Sequence, residues 1–187
     1  NNAYCQDNEI SWTSWDLSLA EQQFLAFTRR LVRFRQSQPV LMRRKYFQGR
    51  PIRGVDVKDI YWLDSSGREM TDEAWNASTV RSLGVLMVGD ALDEIDERGR
   101  PVRGDTLLIL LNAHPEETPF TVPSIGPRTT WVRVIDTMAA RVEECRYPGG
   151  ATYPLQGRTL ALFVLSLERR ERAPSPSDST NEPQRTH

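Results

Sequence analysis

Residues 106–113, TLLILLNA, are apolar at every position from Leu107 to Leu111. Successive side chains of a strand point to opposite faces, so an apolar run without alternation belongs to a strand covered on both sides. Runs of similar β-branched or aromatic character recur at 43–48, 59–63, 82–89, 118–123, 129–137 and 159–167, separated by Gly, Pro, Asn and Asp. That spacing predicts an antiparallel β-sandwich in which 106–113 is a central strand. In TTWVRVIDT, Trp131, Arg133 and Ile135 alternate with Val132, Val134 and Asp136. Neither face is wholly polar, which places this strand near a junction or in an inner layer. TDEAW at 71–75 reads as one helical turn capped by Thr71.

The clearest helical period lies upstream of these runs, at 18–38. Phe24, Phe27, Leu31 and Phe34 share one stripe, widened by Leu25, Thr28 and Val32, while Arg29, Arg30 and Arg33 take the far side. The arginines read as a solvated face rather than a binding patch. Ser18 followed by Glu21 predicts a capping box at the helix start, and Pro39 disfavours continuation beyond Gln38. At the other end, residues 169–187 are too poor in apolar side chains to offset the entropy of ordering, and a disordered tail is expected there.

Lys and Arg number 24 against 25 Asp and Glu, and the net charge of -1 offers no bulk attraction to nucleic acid or an anionic membrane. No apolar run is long enough to span a bilayer as a helix. Cys5 and Cys145 stand far apart without Cys or His at metal-ligand spacing, so no metal or cofactor is expected, and reduced thiols in a soluble cytoplasmic protein are the simplest account. The charged stretch 94–105, EIDERGRPVRGD, reads as an exposed hairpin connection with Gly99 in the turn. The tripeptide RGD at 103–105 is short enough to arise by chance and carries no adhesion function. His114 reads as a loop or strand-end residue, and His187 in the tail gives it no partner for a histidine-based site.

Near the start, Asp7, Glu9 and Asp16 lie close in sequence to Tyr4, Trp12 and Trp15. Aromatic rings beside carboxylates suit a sugar, whose C–H face stacks on the rings while its hydroxyls donate to the acidic oxygens. The competing reading is that these rings anchor a loop by packing.

The string NNAYCQDNEISW at 1–12 resembles a segment of bacterial glycogen debranching enzymes of the isoamylase type, within the α-amylase superfamily. LAFTRRLVRFRQSQPVLMRRKYFQGR is similar to the last barrel helix and its exit in that family, and DIYWLDSSGREMTDEAW and GDTLLILLNAHPEETPFTVP to its C-terminal β domain. The resemblance covers about residues 1–167. It implies a mainly β chain, with a C-terminal antiparallel β-sandwich at 40–168 preceded, at 1–39, by the last loop and helix of a truncated (β/α)8 barrel. The activity implied is hydrolysis of α-1,6 branch linkages in glycogen-like glucans with retention, which uses two carboxylates about 5 Å apart. In the family these lie on earlier barrel strands, so no catalytic residue is carried over, and neither Asp7 nor Glu9 is a candidate nucleophile or acid. The implied partners are a branched α-glucan and the preceding barrel in cis, without nucleic acid or membrane.

Loops at the C-terminal ends of barrel strands surround the active site, so the resemblance places Tyr4, Gln6 and Asp7 at the glucan cleft, as substrate contacts or as loop supports. For the β domain two readings stand. It is a cap on the barrel, which a short passage from the helix into a first strand at 43–48 favours, or it is a carbohydrate-binding module. A module needs an exposed aromatic platform, for which Trp62, Trp75 and Trp131 are available.

Overall fold

A computed structural model describes residues 5–51, 57–92, 95, 97–139 and 144–166. Tyr4, His187 and the tail expected at 169–187 lie outside the described residues. The chain runs α1 (Leu19–Ser37), β1 (Ile60–Leu63), α2 (Asp72–Asn76), β2 (Ser82–Met87), β3 (Leu107–Asn112), β4 (Thr118–Thr121), β5 (Thr130–Asp136), β6 (Cys145–Pro148), β7 (Thr152–Leu155) and β8 (Thr159–Ser166). It divides into two compact units, one drawn from 1–60 and 87–106, the other from 61–86 and 107–187.

In the first unit α1 starts as its sequence dictates. The Ser18 N–H donates to Glu21 Oε2 at 2.8 Å, and Ser18 Oγ accepts from the Glu21 N–H at 3.4 Å, closing the capping box. Pro39 then opens a 3-10 turn, Pro39–Leu41, that buries Val40. The apolar stripe is only half covered among the described residues: Phe27, Leu31 and Phe34 are half-buried and Phe24 is 70% exposed. On the opposite side Arg29 and Arg33 are exposed, whereas Arg30 departs from a solvated face and lies over the Phe27 ring at 5.5 Å.

The strand expected at 43–48 does not form. Asp59 explains why. Its carboxylate accepts from Arg43 Nη1 at 2.9 Å, from the Gln48 N–H at 3.1 Å and from the Gly49 N–H at 3.0 Å, with both charged side chains only 6% exposed. Backbone donors that a ladder would use are taken by a side chain, and Gly49 turns the chain at φ +61°. The first strand is therefore β1, and the short passage from helix to strand that favoured a cap is not present. In the same unit Asp105, the last residue of the RGD triplet, accepts from Gln38 Nε2 at 3.0 Å. The connection before it bridges Ile95 to Pro101, with Gly99 at φ +74° in its turn, as the charged, glycine-containing sequence predicts.

The second unit is a layered β structure. Six strands form one sheet in the order β1-β2-β3-β8-β5-β6, and β4 and β7 form a second. The pairs β3/β8, β8/β5, β5/β6 and β4/β7 are all antiparallel. β3 lies inside the large sheet, where Leu107, Leu108 and Leu110 are fully buried, as the unalternating run predicts. The core joins Leu108, Leu110, Trp131, Ala161 and Phe163 of the large sheet to Phe120, Tyr153 and Leu155 of the small one, with Val122 just beyond β4. Gly84 in β2 makes room for this packing, because a Cβ there would meet Phe120 Cζ at 2.7 Å. The strands β6 and β7, in different sheets, were not anticipated by the sequence, which carries Pro148 and Pro154 in them. β6 is an edge strand of the large sheet and β7 one of the two edges of the small one, so neither Pro148 nor Pro154, which sits opposite Pro119, interrupts an inner ladder.

Burial pushes the Asp59 carboxyl upward, but the Arg43 guanidinium and the two N–H donors outweigh it and leave the pKa below its ordinary value. The folded state thus binds this proton less tightly than the unfolded chain. Its stabilisation is present above the ordinary carboxylate range and is lost as pH falls through the folded value. Asp59→Ala is expected to cost about 3–5 kcal/mol near neutrality by leaving Arg43 without this partner. The deficit should shrink below about pH 4. Denaturant titrations at two pH values check both; a deficit independent of pH would assign the loss to packing.

Candidate functional site

The opening segment is short, polar and held by its own backbone. The N–H groups of Ser11 and Trp12 both donate to the Asn8 carbonyl, at 2.9 and 3.1 Å, while Asn8 Oδ1 accepts from the Ile10 N–H at 3.1 Å. Ser11 Oγ donates to the Gln6 carbonyl at 2.5 Å, closing the turn from the other side. Asn and Ser suit this arrangement because their short side chains bond the backbone two to five residues away.

This turn sets Asp7 beside Trp12. The indole Nε1–H donates to Asp7 Oδ1 at 2.6 Å, a charge-assisted bond that fixes the ring. The ring faces remain open, with Trp12 62% and Trp15 75% exposed, so within the described residues these rings do not anchor the loop on a core. Gln6 and Asp7 are both exposed, and Tyr4 lies outside the described residues. Two of the three expected contacts therefore stand in one turn with Trp12, a partner that spacing had only placed nearby. A fixed indole with open faces and a carboxylate at its edge can stack on a sugar ring and accept a hydroxyl hydrogen bond.

The other titratable clusters are built into the fold. Asp136 Oδ2 accepts from the Tyr153 hydroxyl at 2.8 Å and from Arg133 Nη1 at 3.2 Å. Burial first, and then donation to Asp136, push the Tyr153 phenol up to about 12, so it stays protonated and acts as a donor. Sequence reasoning did not find this network, because its members sit on two strands of different sheets. His114 is a turn residue, as expected, its Nδ1 accepting from the Glu116 N–H at 3.1 Å. Cys5 and Cys145 are free thiols. Among the described residues no group of His, Cys, Asp or Glu is placed to hold a metal, and no helix is long and apolar enough to cross a membrane.

The three tryptophans offered by the β domain part company. Trp131 is fully buried and its Nε1–H donates to the Pro123 carbonyl at 2.8 Å, which removes it as a platform. Trp62 and Trp75 are 39% and 51% exposed.

Comparison with known proteins gives this geometry a context. The family model described as isoamylase, C-terminal, matches residues 59–164. A "Glycogen operon protein GlgX homolog" of Mycobacterium tuberculosis is 41% identical over 138 residues, 73% of this chain and 19% of the relative. A "Glycogen debranching enzyme" of Dickeya chrysanthemi is 36% identical over 123 residues, 66% of this chain and 15% of the relative. The chain spans about a fifth of the length of the curated relatives it matches.

The Asp7–Trp12 bond has a direct readout. In Asp7→Ala the Trp12 indole N–H resonance should move upfield and exchange with water faster, while Asp7→Asn, which keeps a carbonyl acceptor, should retain most of the protection. A Trp12 resonance unchanged in Asp7→Ala would show that the ring is held by something else.

Proposed function

Since the chain belongs to the isoamylase C-terminal family, we propose that it is the C-terminal portion of a glycoside hydrolase that cleaves α-1,6 branch linkages in glycogen-like α-glucans. The observation that carries this reading is the family match across the β domain. On this reading residues 1–39 are the last loop and helix of a catalytic (β/α)8 barrel, 40–168 are the β domain and 169–187 a tail. The partners are a branched glucan and the barrel in cis, and the compartment is the cytoplasm.

The division of labour follows from the chemistry. Retaining hydrolysis of a glycosidic bond needs one carboxylate as nucleophile and a second as acid and base. Both belong to the part of the enzyme ahead of this chain. The opening segment contributes binding: Tyr4 stacks on a glucosyl ring, Asp7 accepts hydroxyl hydrogen bonds while it orients Trp12, and Gln6 adds amide contacts at the rim. Asp7 is well suited to this because Trp12 engages one of its oxygens, and the other remains for a sugar hydroxyl.

Two measurements test the proposal. The longer protein that carries this chain should release linear chains from glycogen, and the 187-residue chain alone should release no reducing ends; failure of the longer protein to debranch would defeat the reading. Within it, Tyr4→Ala and Asp7→Ala are expected to lower kcat/KM by roughly ten- to a hundredfold, through loss of the stacked ring in one and of a bond to a charged acceptor in the other. Their melting temperatures should hardly change, since a rim loop contributes little core. Normal kinetics in both variants would remove the substrate contacts, and a fall in melting temperature alongside activity would make them loop supports.

A further inference from the structure

A concave site of about 300 Å³ opens on the surface of the β unit, lined by Trp75, Met70, Val80, Leu83 and Leu111, with Arg81 and Ser82 as its polar members. Local sequence builds it. Thr71 caps α2 by accepting the Ala74 N–H at 3.3 Å, and the Met70 N–H donates to the Trp62 carbonyl at 2.8 Å, drawing the start of α2 against β1. The two indoles then meet edge to face, with ring centroids 5.8 Å apart and planes at 72°. Both rings remain partly exposed, and the contact sets Trp62 beside the wall of the pocket that Trp75 forms.

The polar features of the site match one class of occupant. Neither the Trp62 nor the Trp75 indole N–H finds an acceptor among the described residues, in contrast to Trp12 and Trp131, whose N–H groups are bonded. Arg81 is exposed, its side chain has no carboxylate partner among the described residues, and the lining contains no Asp or Glu. Apolar ring faces beside unfilled donors, without acidic acceptors, complement a neutral polyhydroxylated chain: its C–H faces stack and its hydroxyl oxygens accept. A cationic ligand would meet Arg81 unfavourably, and a purely apolar one would leave the donors unpaired.

We propose that Trp62, Trp75 and Arg81 form a glucan-binding site on the β domain, taking one or two glucosyl units of an α-linked chain without cleaving them. The choice of an α-glucan over other neutral sugars rests on the function proposed above; the site itself rests on the geometry. Anchoring of a large branched polymer by the β domain would raise the local concentration of substrate at the enzyme.

The test titrates the 187-residue chain with maltoheptaose and follows its indole N–H resonances, alongside mobility in native gels containing glycogen. The Trp62 and Trp75 signals should shift while Trp131 stays in place, and glycogen should retard the protein. Trp62→Ala and Trp75→Ala should each weaken retardation by about tenfold. Trp75→Tyr should keep most of it, and Arg81→Ala should weaken it by a smaller factor. Melting temperatures identify any variant that misfolds, and the titration of the unmodified chain decides the matter without variants. No shift at Trp62 and Trp75, or shifts confined to Trp12 and Trp15, would refute the site. Shifts at Trp62 and Trp75 in a protein whose longer form does not debranch glycogen would leave the site standing and remove the proposed activity.

Discussion

The layered part of the molecule turns on one extra residue in β5. Its pairing with β8 runs Arg133 to Phe163 and then Ile135 to Leu162, so Val134 has no partner. In a regular strand residues three apart point to opposite faces. The bulge instead puts Arg133 and Asp136 on the same face, close enough for the 3.2 Å contact between them. That face carries Trp131 and looks onto the small sheet, where the Tyr153 hydroxyl reaches Asp136 and its ring meets Phe163 edge to face at a centroid distance of 5.1 Å. A buried ion pair adds little net stability over an apolar substitute, but an unpaired one is costly, so alternative placements of β7 are penalised. Tyr153 is opposite Phe120 in the β4/β7 register, and Phe120 occupies the space that Gly84 leaves open. At the far end of β7, buried Asn112 donates through Nδ2 to the Leu155 and Gln156 carbonyls, both at 3.1 Å. The two sheets are thus tied by hydrogen bonds at each end of an apolar contact, which fixes their register as well as their distance.

Much of this was legible in the sequence where one local rule decides the outcome. LLILL can satisfy only an inner strand, and Ser18, Glu21 and Pro39 bound α1 by capping and by steric exclusion. The failures lie where a distant side chain outbids local propensity. RRKYFQ has the composition of a strand, but the donors of Gln48 and Gly49 go to a carboxylate ten residues downstream or more. CRYP and TYPL carry prolines, which argue against inner ladders; both segments form edge strands, where that constraint lapses. The bulge in β5 left only an indirect mark, the mixture of polar and apolar residues on both of its faces.

The candidate sites show the same limit in one residue type. All five tryptophans are candidate sugar platforms by sequence, and spacing does not separate them. An indole is large and apolar with a single donor, so its fate depends on whether an acceptor is available where the ring packs. Trp131 finds the Pro123 carbonyl inside the core, Trp12 finds Asp7 at the surface, and Trp62 and Trp75 settle against each other with donors unfilled. The acceptor is set by chain geometry, a local turn for Trp12 and the folded core for Trp131, which is why Asp7 could be placed near a ring by sequence but not bonded to one.

Three carboxylates share one electrostatic character. A general acid at neutral pH needs a carboxyl raised above its usual range by burial or a like charge. Here the resolved shifts go the other way: hydrogen bonds from Ser18 lower Glu21, those from Thr71 lower Glu73, and Arg43 with two backbone donors lowers Asp59 against its burial. Groups held ionised in this way are suited to capping helices, pinning turns and accepting hydrogen bonds from neutral ligands. They are poorly suited to delivering a proton to a departing sugar oxygen. Glu21, Glu73 and Asp59 are thus committed to architecture, while the Trp62 and Trp75 indoles and Arg81 keep hydrogen-bonding capacity that no described residue fills.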